Sequence, residues 1–145
     1  MLNISGLDSG YVIDHIPAGL AIKIYGYLGL DHYANSVAII QNAKSSKMGK
    51  KDIIKIEGLS DKINLDILSM FGDNITINII KNGAIIDKKR PDLPELVSDV
   101  FKCKNPRCIT TEERGLHHVF KLTDRANKTY RCVYCETALT SLPRP

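Results

Sequence analysis

The chain has 145 residues, 43% hydrophobic and 25% charged, the composition of a soluble globular protein rather than a disordered one. Its net charge of +4 is unevenly placed: residues 1–102 carry 12 Lys and Arg against 12 Asp and Glu, and residues 103–145 carry 8 against 4. That excess is small for a nucleic-acid binder, and no apolar run approaches the roughly 18 residues of a membrane helix. No secretory leader pattern is evident, so a cytoplasmic protein is expected.

In chain order, Gly10 to Ile16 predicts a strand whose V-I-D-H-I-P-A segment is unusual. Strand alternation turns Val12 and Asp14 to one face and Ile13 and His15 to the other, spending two ionisable groups where β-branched residues are the norm. Pro17 suits the first turn of a following helix. There Leu20, Ile24, Tyr27 and Leu28 share a face, and Gly29 ends it. S-V-A-I-I-Q and D-I-I-K-I-E are strand-like and are joined by a lysine-rich loop.

A second helix is expected from Ser60, as its N-cap, to Gly72, burying Ile63, Ile67 and Met70. The run N-I-T-I-N-I-I-K-N-G-A-I-I-D predicts a hairpin turning on Asn82-Gly83, because a type I′ turn needs φ > 0 at both positions. The pattern is α+β, ferredoxin-like: a mostly antiparallel N-terminal sheet with two helices on one face. In K-K-R-P-D-L-P-E-L the prolines mark a connection, and Asp92 with Glu95 resembles the cap of a short helix. The expected domains are therefore 1–94 and a small all-β domain, 95–145.

All four cysteines lie in that second domain, as Cys103-x4-Cys108 and Cys132-x2-Cys135, 23 residues apart. Two close pairs around a hairpin-sized insert are the pattern of a closed tetrahedral thiolate site for one structural Zn²⁺. Two disulfides, or iron in the same S₄ cage, are the alternatives. His117 and His118 are expected on a strand, one facing in and one out, because four thiolates already fill the tetrahedron. The insert reads as two strands around a polar turn.

Lys44, Lys47, Lys50, Lys51 and Lys55 crowd one short stretch against a single aspartate, and Lys88, Lys89 and Arg90 follow the hairpin. Lys51, Ile53 and Lys55 alternate onto one strand face, an arrangement suited to a phosphate. Neither standard Gly-rich phosphate loop is present, and no nucleophile–base or paired-carboxylate arrangement stands out.

Taken together, V-I-D-H-I-P-A, M-G-K-K-D-I-I-K-I-E, T-I-N-I-I, K-K-R-P-D-L-P and C-x4-C-x23-C-x2-C resemble the regulatory chain of aspartate carbamoyltransferase, from about Gly10 to Glu136. The resemblance implies a non-catalytic chain that controls pyrimidine biosynthesis. Its allosteric domain would bind CTP, UTP or ATP and pair with a second copy, and its zinc domain would dock on the catalytic chain. It further implies an effector pocket formed by Val12, Asp14, His15, Lys51, Ile53, Lys55, Asn78, Ile80, Ile85 and Lys88. Cys103, Cys108, Cys132 and Cys135 would hold the metal, and Asn105 and Glu136 would touch the catalytic chain. Ser5 and Gly83 depart from the family pattern beside the base, and Arg107 departs at the docking surface. A different class, a zinc-ribbon nucleic-acid-binding protein, would instead use the basic second domain with Tyr130 and Tyr134.

Overall fold

A computed structural model describes residues 6–60, 63–113 and 115–139. The chain divides into two compact units, Met1–Pro91 and Asp92–Arg144.

In the first unit five strands form one antiparallel sheet: β1 (Gly10–Pro17), β2 (Val37–Ser45), β3 (Gly49–Glu57), β4 (Thr76–Lys81) and β5 (Ala84–Lys89), in the order β2-β3-β1-β4-β5. Helix α1 (Ala21–Tyr27) connects β1 to β2, and a 3-10 helix, Leu65–Met70, precedes β4. The first four strands have the ferredoxin-like arrangement expected of the sequence, with β5 added at one edge. Asn82 and Gly83 have φ of 54° and 76°, both left-handed as a type I′ hairpin requires.

Strand alternation builds the core. Ile13 and Ile16 of β1, Ile54 and Ile56 of β3 and Ile77 of β4 are buried on one face, against Leu20, Ala21 and Ile24 of the first helical segment. Val12, Lys51, Ile53, Lys55 and Asn78 lie half-buried on the other face. Gly10 lies where β1 runs against the β3 backbone with no room for a side chain: a Cβ there would sit 2.0 Å from the Ile56 carbonyl oxygen. Gly10→Ala is expected to force the two central strands apart and to cost about 2–3 kcal/mol, measured as a lowered melting temperature of the whole chain.

Three local expectations are corrected. Pro17 is the last residue of β1 rather than the first of a helix, and its carbonyl accepts from Leu20 N–H, which starts the turn into α1. The second helix is 3-10, with Asn64 rather than Ser60 at its N-cap. Ile63, Ile67 and Met70 are buried as expected, but so are Leu68 and Phe71. A three-residue repeat stacks Ile67 over Met70 and Leu68 over Phe71, so the tighter helix buries both pairs. Asp92 caps no helix: its carboxylate accepts from Leu93 N–H and Arg125, and the chain continues as an extended strand. Pro91 and Pro94 favour that extended path, since a residue preceding proline avoids helical geometry.

The second unit is a three-stranded antiparallel sheet, β6 (Leu96–Ser98), β7 (Val119–Asp124) and β8 (Thr129–Cys132), with one short helix, α2 (Ile109–Glu112). Its core is small: Val97, Phe101, Phe120 and Tyr130, beside three buried cysteines. The Tyr130 hydroxyl donates to the Pro94 carbonyl at 2.7 Å, and burial raises its pKa to about 12.

Candidate metal centre and polar sheet face

The first pair of cysteines brackets a tight loop built on Asn105. The Asn105 side chain accepts from Arg107 N–H at 3.0 Å, its carbonyl accepts from Cys108 N–H at 3.0 Å, and its amide donates to Thr137 Oγ1 at 3.3 Å. The second pair closes a turn in which Glu136 N–H returns to the Cys132 carbonyl at 2.9 Å with Glu136 at φ 63°. Asn105 thus ties one loop to the other, and exposed Glu136 occupies the left-handed corner of the second. Arg107 is exposed.

The two loops bring four Sγ atoms together, all within 4.8 Å of one another. Cys103 and Cys135 are 3.6 Å apart, and Cys108 and Cys132 3.7 Å. Those separations are far too long for disulfides and match the edge of about 3.8 Å for a tetrahedron with 2.3 Å metal–sulfur bonds. Outer hydroxyls attend the cluster: Thr110 Oγ1 lies 3.1 Å from Cys108 Sγ, and Thr137 Oγ1 lies 3.3 Å from Cys135 Sγ. Burial pushes the Cys103 thiol up to about 12 and Cys132 up as well. Burial acts on Cys135 in the same direction, but hydrogen bonds from Thr137 and Asn105 outweigh it and bring that thiol to about 6. Four thiolates this close together repel one another, so the full set ionises together only around a cation.

Neither histidine is one of the gathered donors. His118 Nδ1 accepts the Cys103 N–H at 3.2 Å, bracing the cluster from outside. Exposed His117 pairs with Asp99 at 2.6 Å; that hydrogen bond, joined by one from His118 N–H, holds the Asp99 carboxyl below its usual range. The two therefore sit before β7 rather than alternating on it.

In the first unit, the outer face of the sheet carries an in-register row. Lys55 of β3 pairs with Val12 of β1, Val12 with Asn78 of β4, and Asn78 with Lys88 of β5. Lys55 also lines a cavity of about 240 Å³ with Gly6, Leu7, Ser36, Val37, Ala38 and Glu57. The Asn78 Oδ1 atom is buried with no hydrogen-bond partner among the described residues. Ile80 faces Ile85 across the β4–β5 pair, and Ile85 is largely exposed. Segment 6–9 passes close by, since Asp8 O accepts from Gly83 N–H at 2.8 Å. Ser5 lies outside the described residues.

Asp14 and His15 stand on this face together, contrary to simple alternation. Between Ile13 and Ile16 the β1–β3 register slips, so Asp14 and His15 both oppose Ile53. This bulge, with His15 at φ 58°, returns Ile16 to the core and leaves both polar residues on the outer side. Asp14 Oδ1 is 3.0 Å from Lys51 Nζ, and His15 Nδ1 is 3.1 Å from Thr76 Oγ1.

Asp52 is the residue that sequence reasoning overlooked. It is fully buried, and its carboxylate accepts Gly19 N–H (2.9 Å), Ala21 N–H (3.1 Å) and Asn42 N–H (3.0 Å). It therefore holds the start of α1 and a second bulge, at Gln41 and Asn42, to β3. The signal was present: Asp52 shares its strand parity with Ile54 and Ile56, which marks it as buried beneath Lys51 and Ile53.

Comparison with known proteins matches each of the two units to a domain of one family. The model of the aspartate carbamoyltransferase regulatory chain, allosteric domain, matches residues 2–92, and that of the same chain's metal binding domain matches residues 95–142. The chain belongs to the aspartate carbamoyltransferase regulatory chain family. Regulatory chains of Clostridium botulinum and Clostridium tetani are each 48% identical over 136 residues, 94% of this chain, and cover 92% and 94% of those proteins. That of Bifidobacterium longum is 41% identical over 93% of this chain and 96% of its own. The regulatory chain is a non-catalytic subunit, in keeping with a metal cluster closed by four sulfurs. Among the described residues no helix is long and apolar enough to cross a membrane.

Proposed function

We propose that the polar sheet face of this regulatory chain binds a nucleoside triphosphate effector, CTP, UTP or ATP, and that the second unit, closed on one structural Zn²⁺, joins the catalytic chain. The effector thereby governs the first committed carbamoyl transfer of pyrimidine biosynthesis, in the cytoplasm. Two regulatory chains pair through their first units.

The observation that carries this reading is the row from Lys55 to Lys88. Two ammonium groups flank an apolar and amide floor, and the buried Asn78 Oδ1 awaits a donor such as a ribose hydroxyl or a base amine. Lys88 takes phosphate oxygens, Lys55 the sugar side, and Ile80 and Ile85 border the base. His15, fixed by its bulge, adds a donor near the phosphates, while Asp14 holds Lys51 in place. In the second unit zinc supplies no reaction chemistry, because four thiolates leave it no open position. Asn105 and Glu136 stand on the two cysteine loops, so closing the cluster sets the surface offered to the catalytic chain. Control requires that the effector bind two states of the assembly unequally, with couplings of about 1–3 kcal/mol.

The test is Lys55→Ala combined with Lys88→Ala in the assembled enzyme. Removing two charge-assisted contacts is expected to raise the half-effect concentration of nucleotide at least about tenfold while leaving unregulated activity intact. An unchanged titration would show that the nucleotide binds elsewhere.

A further inference from the structure

The β2–β3 hairpin carries a charge pattern that neither its folding nor the proposed pocket uses. Beyond the bulge at Gln41 and Asn42 the two strands continue as a ribbon to the turn between Ser45 and Gly49. Lys44, Lys47 and Lys50 on this ribbon are all exposed, and Lys44 directly faces Lys50 across the strands. Like charges directly opposite destabilise a strand pair. Among the described residues no carboxylate lies within 4 Å of any of the three, whereas Lys51, the next residue along, is held by Asp14.

We propose that the hairpin tip is an electrostatic collector that draws polyphosphate ligands toward the adjoining polar face, raising their association rate without contacting them in the bound state. The proposal rests on that face being the nucleotide site. Strand alternation sends Lys50, and with it Lys44, to the side opposite Lys51, so neither is a ligand to the same phosphate as Lys51. At about 3.3 Å per residue, however, Lys50 and its cross-strand partner Lys44 stand one rung of the ribbon from Lys51, well inside the Debye length of about 10 Å at 0.1 M salt, and Lys47 at the turn lies at most about 13 Å along it, on the order of that length. Charges so placed act through the long-range field, which raises the rate of encounter and fades with ionic strength. A repulsive lysine pair, unfavourable for the hairpin itself, is the expected cost of such a field.

The experiment compares the full chain with a variant carrying Lys44→Gln, Lys47→Gln and Lys50→Gln, by stopped-flow binding of ATP bearing a fluorophore. At about 0.02 M ionic strength the variant is expected to associate about 3–10-fold more slowly, with a dissociation rate within about twofold of the parent, and the difference disappears near 0.5 M salt. Its melting temperature is expected to equal or exceed the parent's, because the Lys44–Lys50 repulsion is gone. Lys44→Glu alone, which turns the facing pair attractive, is expected to slow association in the same direction and serves if the triple variant folds poorly. Equal association rates at low salt would overturn the collector while leaving the pocket standing. So would a loss confined to faster dissociation, which would make the lysines direct contacts. Absence of nucleotide binding by the parent chain would overturn the pocket and the collector together.

Discussion

Stripping the metal from the four-cysteine cluster is expected to unfold the second unit and release the catalytic chain, while the first unit keeps its structure. Among the described residues the second unit buries only four large side chains outside the cluster, Val97, Phe101, Phe120 and Tyr130. Burying an apolar side chain of this kind contributes about 1.5–3 kcal/mol before chain entropy is counted. A structural zinc site of this ligand set contributes about 10–16 kcal/mol, as much as the entire stability of an ordinary domain. Titration with a mercurial thiol reagent should release one zinc per chain. Amide resonances of residues 95–139 should then collapse toward random-coil positions, and those of residues 10–89 should stay dispersed. Cys108→Ala, at one of the two most buried of the four cysteines, should reproduce the collapse without any reagent. A second unit that keeps its dispersion after the ion leaves would show that the hydrophobic core alone holds it. Release of iron instead of zinc would correct the identity of the ion and leave the argument from geometry intact.

Asp52→Ala is expected to be the most damaging single substitution in the first unit. It deletes a fully buried carboxylate that is the shared acceptor of three backbone N–H groups, from Gly19, Ala21 and Asn42. Hydrogen bonds to a charged group contribute about 1.5–3 kcal/mol each, and each donor left unsatisfied adds its own desolvation cost. Allowing for relaxation, a loss of about 3–5 kcal/mol is expected, a fall on the order of 20 °C in the melting of a unit this size. Calorimetry of the full chain measures it. Asp52→Asn should fall between parent and alanine variant, because one acceptor oxygen remains while the amide N–H₂ confronts a donor. A loss below about 1 kcal/mol in Asp52→Ala would mean that the bulge and the helix start hold their shape unaided. Nucleotide response should weaken along with stability, since Lys51 and Ile53 leave β3 on either side of Asp52.

Much of this molecule was legible because the signals were local. Asn82-Gly83 announced its hairpin because few other dipeptides accept two left-handed φ values in succession. The spacing of Cys103, Cys108, Cys132 and Cys135 announced a cluster because each short loop can bring only its own two sulfurs together, and the two strands between the pairs close the remaining distance. The alternation of Lys51, Ile53 and Lys55 named the outer face of β3 correctly. The readings that failed were those in which a local rule was overridden from a distance. The helix expected from Ser60 is instead a 3-10 helix that buries both Ile67–Met70 and Leu68–Phe71. The helix expected after Asp92 became β6 because β7, more than 20 residues later, offered a strand to pair with.

The chain by itself determined the family, the cysteine cluster and the strand periods, all properties of spacing along a backbone whose local geometry is restricted. Only the tertiary structure decided that Asp14 and His15 share one face, and that Asp52 anchors the sheet from beneath. A bulge is a mismatch in length between two paired strands, and neither strand alone records it. The partners of Asp52 lie 10, 31 and 33 residues away, so its hydrogen bonds come into being only when the sheet and α1 close over it.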